Sequence, residues 1–402
     1  MKPEQRKEEL LNLKNLKMAR SAHSYVRGNT KRFYDWLGDK QAHSLPQGPA
    51  IWICGDCHVG NLGPVANIDG QIRLQIRDVD QTVIGNPSHD LIRLGLSLAM
   101  AARGASLPGV TTAVMMEQLV EGYAVALEAA LSGQSGDRPG DLPDYLKPVM
   151  RAAASRSWKQ LARERLSGNA STLPIGNGFW KLSKEERSEV KQLFEKGSVA
   201  RLATLLSSRP DDMPVEVLDA AYWVKGCSSL GGLRYAVLLG VGLPDSPDHE
   251  CCLIDIKEAV SAAAPAYSGS KMPTNKARRV VEGARHLSPH LGERMMTADL
   301  QGKQVFMREL LPQDLKLEID QMTAAEAMDV ASHLAGVVGT AHARQMDVQT
   351  GKAWVTELKK HRSKTLDAPS WLWNSIVELV ANHEAGYLEH CRRYAMAHAV
   401  KR

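Results

Sequence analysis

Aromatic residues are scarce, at 5% of the 402-residue chain with only four phenylalanines, so Leu, Val, Ile, Ala and Met must fill the interior. Cysteine is also sparse. Six in a chain of this length do not make a disulfide scaffold, and such usage reads as a reduced, cytoplasmic protein. No uncharged apolar run approaches the roughly 18 residues that a membrane span needs. The opening segment mixes charges and has no apolar centre, which argues against a secretory signal. Charge of one sign is in small surplus, with 50 basic and 45 acidic residues giving +5. The basic clusters at Lys276–Arg279, Lys359–Lys364 and Lys401–Arg402 are short and scattered. Nucleic-acid binding needs a concentrated stripe, so these clusters read as solvated surface.

What is present is ordinary globular composition, 44% hydrophobic and 24% charged, which excludes large-scale disorder. The length suits two or three units, or one fold with two lobes. Leu10, Leu11, Leu13, Leu16 and Met18 form a stripe at helical spacing, predicting helix over 3–40. Residues 50–54 and 71–76 read as strands across a turn-rich stretch, and 90–103 and 111–132 as helices. Helix resumes over 150–207, broken at 168–178. Three successive strands are predicted at 219–225, 233–239 and 251–257, then a helix at 275–287 and a strand at 303–311. Beyond Pro312 the pattern is nearly all helical, at 323–345, 353–361 and 371–398. The plan is α+β, a β-rich unit of about 100 residues set between helical segments.

Chemistry concentrates in two places. In the first, Gly55-Asp56-Cys57-His58-Val59-Gly60-Asn61 is followed by a strand ending in Arg77-Asp78-Val79-Asp80. Phosphoryl transfer needs one acid to orient an acceptor, plus hard oxygen ligands for magnesium. Asp56 and Asn61 on their own equally suit turn building. The second pair of acids tips the balance, because two carboxylates at one strand end repel unless a cation is shared. In the second place, Gly226-Cys227-Ser228-Ser229-Leu230-Gly231-Gly232 lies between two strands, small enough for backbone amides to approach phosphates. It is not a Walker loop, since no Lys-Ser or Lys-Thr follows. Lys257 closes the next strand as a point charge for phosphates. A buried lysine needs an acidic partner, and Glu282 on the following helix is the candidate.

Rival readings of the same residues are weaker. Cys54-Gly55-Asp56-Cys57-His58 fits a haem-attachment pattern, but that reading ignores Asn61 and Asp78. A redox pair would need the second cysteine to continue into a helix. Zinc would need a fourth ligand. His342 and Arg344 read as surface or capping residues at a helix end.

The two segments together resemble the motifs of aminoglycoside- and choline-kinase-like phosphotransferases. More closely, KMARSAHSYVRG (17–28), GDCHVGNLG (55–63), RDVDQT (77–82), HDLIRLGLS (89–97), KGCSSLGGLRYAVLL (225–239), RRVVEGAR (278–285) and FMREL (306–310) resemble the bacterial family called domain of unknown function 2252, of the protein-kinase-like superfamily. The resemblance implies a bilobal kinase-like fold, circularly permuted because the glycine hairpin and lysine follow the catalytic loop. It divides the chain into an N-terminal helical segment (1–45), a catalytic-loop part of the C-lobe (46–214), an N-lobe equivalent (215–311) and a second C-lobe part (312–402). It further implies an ATP- and Mg2+-dependent phosphotransferase acting on a small-molecule or protein hydroxyl. AMP transfer, or a non-catalytic ATP-binding regulator, would use the same fold. In this resemblance Asp56 matches the catalytic aspartate, and Asn61 and Asp78 the metal ligands with Asp80 beside them. Gly226, Ser228, Ser229, Gly231, Lys257 and its partner Glu282 match the phosphate-holding parts, and Glu309 and Leu311 the hinge. Asp90 with Arg93 matches the segment that anchors the catalytic loop from behind. Families of this type often place Asn-Asp-Phe-Asp-Glu where this chain has Arg77-Asp78-Val79-Asp80-Gln81, which keeps the ligands but loses an aromatic and an acid.

Overall fold

The computed structural model describes residues 3–38, 45–134, 142–166, 172–176, 178–227, 230–243, 249–315, 317, 322–360 and 368–395. Its strands are β1 (Ile51–Ile53), β2 (Leu62–Ala66), β3 (Ile72–Ile76), β4 (Val83–Gly85), β5 (Phe179–Lys181), β6 (Val215–Trp223), β7 (Arg234–Val241), β8 (Glu250–Glu258), β9 (Met295–Leu300) and β10 (Lys303–Glu309). The fold is α+β. Strands β5 to β10 form one sheet in the order β5-β6-β7-β8-β10-β9, while β1 pairs with β4 and β2 with β3 in two small ribbons. Every pairing between these strands is antiparallel.

Side-chain alternation sets the two faces of the large sheet. Tyr235, Val237, Leu239 and Val241 of β7 join Cys252, Ile254 and Ile256 of β8 in one apolar cluster. That cluster also takes Val190, Leu193 and Phe194 from the helix Lys184–Glu195. A capping box between Ser183 and Glu186 starts this helix. Ala236, Leu238 and Leu253 point to the opposite face. Period two then puts Arg234, Asp255 and Lys257 on that opposite face as well, and these are the buried charged residues of β7 and β8. Of the strands predicted in this unit, all three central ones form, each longer than its pattern indicated. The edge strand β5 begins 36 residues before β6 (Phe179 against Val215) and extends the sheet beyond the 215–311 segment.

The remaining helices form the larger core. Helices Gly109–Leu131 and Ala324–Ala343 pack together, with Leu119, Tyr123, Leu334 and Val338 all buried between elements. A Thr323–Glu326 capping box starts the second of them. The N-terminal region is three helices rather than one, Pro3–Met18, Ala22–Gly28 and Thr30–Gly38. The first of these reaches the sheet, where buried Arg6 donates to the Lys181 carbonyl of β5 at 3.0 Å and to Glu186 of helix Lys184–Glu195 at 2.6 and 2.9 Å. No helix among the described residues is long and apolar enough to cross a membrane.

Candidate functional site

Pairing register builds the site. Ile53, the last residue of β1, faces Val83, the first of β4. Leu62, the first of β2, faces Ile76, the last of β3. The loop from β1 to β2 and the loop from β3 to β4 therefore emerge side by side. The first carries Asp56 and Asn61, the second Asp78 and Asp80.

The first loop is held from behind. Asp90, in the opening turn of helix Ser88–Gly104, accepts from the backbone N–H of Cys54 at 2.7 Å and of Gly55 at 3.0 Å. Tyr34 Oη donates to the Gly55 carbonyl at 2.6 Å. Gly55 sits at φ +74°, and a Cβ there would lie 2.1 Å from the Gln81 carbonyl oxygen, so only glycine fits. His342 is wholly buried rather than on the surface as expected. It meets Asp90 at 3.3 Å and the Tyr123 hydroxyl at 2.9 Å, because its helix packs its last turn against the loop's support.

Asp56 is buried, with both carboxylate oxygens engaged. Arg93 Nε donates to one at 2.8 Å and Thr30 Oγ1 to the other at 2.9 Å. Burial raises the Asp56 carboxyl above its ordinary value, against the opposing pull of Arg93 and Thr30. Asn61 ends the short turn Val59–Asn61, and its Nδ2 donates to the Asp56 carbonyl at 3.0 Å. That bond fixes the amide, leaving Oδ1 as its free end. His58 is buried beside Asp56, 4.0 Å away, and is kept neutral by burial and by the positive charges of Arg27 and Arg93.

Lys257 comes to the same place from β8. Its Nζ bonds the Asp80 carboxylate and lies 3.7 Å from Asp78 Oδ2. Burial pushes the Lys257 ammonium down and works to push the Asp78 carboxyl up. For Asp78 the nearby Lys257, Arg308 and Arg234 outweigh burial, so the carboxyl ends below its usual range. Asp78 keeps 43% of its side chain exposed, open to the cleft.

These groups line a cleft of about 800 Å³, which runs from Asp56, Asn61, Asp78 and Asp80 to Leu310, Leu311 and Pro312. Gly226 and Gly231 line it too, at φ +97° and +114°. Lys17 Nζ donates to the Gly226 carbonyl at 3.1 Å and ties the N-terminal helix to this segment. Ser228 and Ser229 lie outside the described residues. Nine Lys or Arg side chains line the cleft against five Asp or Glu, a surplus that suits a polyanion. Lys225 is one of these cations. Its Nζ sits 4.0 Å over the Trp223 ring, and burial with the nearby Arg234 guanidinium pushes it well below its usual value.

Two expected residues lie elsewhere. Glu282 is not the partner of Lys257. It accepts from Arg278 Nε at 2.8 Å on the outer edge of helix Lys276–Leu287. The helical repeat turns its neighbours inward instead: Arg279 donates to the carbonyls of Asp80 at 3.0 Å and Val260 at 2.9 Å, and to that of Thr82. Glu309 turns away from the cleft by strand alternation. Its carboxylate takes Arg209 at 2.9 and 3.1 Å, and the residue lines a second cavity, of about 790 Å³, which shares Leu311 and Pro312 with the cleft. Its neighbour Arg308 faces the cleft in its place, donating to the Arg77 carbonyl at 2.8 Å.

Pattern reading missed Arg27, Thr30, Arg77, Lys225, Arg234 and Arg308. Arg234 and Arg308 carried a signal, because each shares strand parity with a residue of the cleft. Cys54 and Cys57 are wholly buried free thiols, and among the described residues no three His, Cys, Asp or Glu side chains are grouped to hold a metal by themselves.

One family covers nearly the whole chain. The description "uncharacterized protein conserved in bacteria", domain of unknown function 2252, matches residues 6–393. The chain belongs to this family. No curated protein and no solved structure matches it. The match spans both loops, Lys257 and the glycine segment, so the whole cleft falls within the family's extent.

Proposed function

We propose that the cleft binds ATP with magnesium and transfers the terminal phosphoryl group to a hydroxyl acceptor, a small molecule or a protein, on a circularly permuted protein-kinase-like fold. One observation carries this reading. Lys257 stands 3.7 Å from Asp78 although 179 positions separate them, in the cleft that Asp56 and Asn61 also line. Protein kinases hold phosphates with a glycine-rich loop and a lysine on the third strand, and magnesium with an aspartate and an asparagine. Here the glycine segment joins β6 to β7, and Lys257 lies on the strand after them. The six cysteines are all free, which fits a reducing, cytoplasmic setting.

The donor chemistry suits magnesium. Asn61 Oδ1 and the Asp78 carboxylate are hard oxygens, and two protein ligands leave room for phosphate oxygens and water. When bound, the ion supplies charge neutralisation on the phosphates. Lys257, released from Asp80 or shared with it, holds the inner phosphates. Asp56 orients the acceptor hydroxyl and takes its proton as the oxygen bonds to the terminal phosphorus. The bond from that phosphorus to the bridging oxygen breaks, and ADP departs. Placement and charge neutralisation provide most of the rate gain.

The test uses ATP labelled at the γ or the α position, magnesium and a bacterial extract as acceptor pool. Label from the γ position is expected on an acceptor, with ADP as the other product. Transfer of α label would make the protein an AMP transferase. ATP binding with no transfer of either label would make it a regulator instead.

A further inference from the structure

Helix Ala22–Gly28 is placed where no part of the proposed machinery has yet been assigned. Its N-terminus is capped by Ser21, which accepts from the Ser24 N–H. Its last residue lies against the glycine segment: a Cβ on Gly28 would come 2.8 Å from Cys227 Sγ. The preceding residue, Arg27, lies over the catalytic loop, where a Cβ on Gly60 would come 3.0 Å from both Arg27 Cζ and Nη2. The end of this helix thus meets both places: Gly28 lies against the glycine segment, and the Arg27 guanidinium lies over the loop that carries Asp56 and Asn61. Arg27 lines the cleft together with Asp56, His58, Gly60 and Asn61.

Most cations near the catalytic loop are already neutralised. Lys257 has Asp80, Arg93 has Asp56, and Arg234 has Asp255 at 2.5 and 2.9 Å. Among the described residues Arg27 has no hydrogen bond and no ion pair, and its Nε is buried without a partner. Its neighbours offer no relief, since His58 is neutral and Gly60 has no side chain. Arg27 is half-buried, a buried Nε–H without an acceptor is costly, and a planar fork of donors suits phosphate oxygens.

We infer that Arg27 binds the terminal phosphate of the nucleotide and stays on it during transfer, a cation contributed from the chain's own N-terminal region. The inference rests on the nucleotide reading of the cleft. In that reading the terminal phosphate lies at the loop that carries Asp56 and Asn61, and Arg27 lies over Gly60 of the same loop. Gly60 is needed because a methyl group there would push the guanidinium aside.

Calorimetric titration with magnesium and either ADP or the β,γ-imido analogue of ATP tests this in the full chain. Wild type is expected to prefer the triphosphate. Arg27→Ala should weaken triphosphate binding by about ten- to hundredfold, the scale of one charged hydrogen-bonded contact, and leave ADP binding unchanged. Arg27→Lys should recover part of the loss, and Gly60→Ala should reproduce part of it with the arginine still present. Equal weakening of ADP and triphosphate, or unaltered triphosphate binding, would overturn the inference while leaving the cleft a nucleotide site. If wild type bound neither ligand, the nucleotide reading would fail first and this inference with it.

Discussion

Asparagine in place of Asp56 is expected to lower phosphoryl-transfer turnover by about a hundred- to ten-thousandfold, the usual contribution of a positioned proton acceptor. The substitution preserves shape: an amide oxygen still accepts from Arg93, and its NH2 donates to the Thr30 hydroxyl, the two groups that hold the side chain in the native protein. What disappears is the basic oxygen. Nucleotide affinity is expected to change little, because Lys257, Asp78 and Asn61 are untouched. Single-turnover rates at saturating ATP, beside a binding isotherm, separate the two effects. Under this reading the native protein carries a further signature in its pH profile. Burial raises the Asp56 carboxyl above its ordinary value of 3.8. Protonated Asp56 cannot accept the acceptor's proton, so activity should fall as pH drops, along a limb placed above that of an ordinary aspartate. The limb should be absent in Asp56→Asn. Full activity in that variant would remove Asp56 from the chemistry.

Alanine at Arg93 is expected to cost about 3–5 kcal/mol of stability, the penalty for leaving a buried charge without its partner. Arg93 is wholly enclosed. Its Nε reaches Asp56 at 2.8 Å, its Nη2 reaches the Val26 carbonyl at 2.8 Å, and its Cζ lies 5.5 Å from the Phe33 ring centre. The guanidinium therefore joins the Asp56 loop to the N-terminal helices, on a helix that also presents Asp90 to the same loop one turn earlier. Its loss should also raise the Asp56 carboxyl further, since Arg93 opposes the effect of burial there. Urea unfolding of wild type, Arg93→Ala, Asp56→Asn and the double variant measures this. The double variant should lose less than the two single losses added together, because the charge stranded by one change is removed by the other. Simple additivity, or a loss under about 1 kcal/mol, would mean that the pair does not hold the loop.

The parts of this architecture that were legible in the sequence are those with a clear period. Alternation in the β8 segment Cys252-Leu253-Ile254-Asp255-Ile256-Lys257 places Lys257 opposite the apolar cluster without any knowledge of its neighbours. The two acidic loops were legible from composition, but their union was not, because it depends on β1 pairing with β4. That pairing turns Asp80 toward Lys257, a partnership between residues 177 positions apart that no local pattern encodes. Glu282 was the natural guess for the lysine's partner, and it fails by one helical position, with Arg279 and Gly283 taking the inward face. Strand β2 was hidden by Gly63 and Pro64, which read as a turn. Proline is tolerated there because a two-stranded ribbon consists only of edges. Arg27 carries no signal of its own in the sequence, because its placement depends on Gly60 lying beneath it.

The most direct measurement is a crystal structure of the full chain with magnesium and the β,γ-imido analogue of ATP. The account predicts the inner phosphates at Lys257, the ion between Asn61 and Asp78, and the base toward Leu310 and Leu311. A triphosphate seated instead in the rear cavity beside Glu309 and Trp158, or a cleft without nucleotide at saturating analogue, would contradict it.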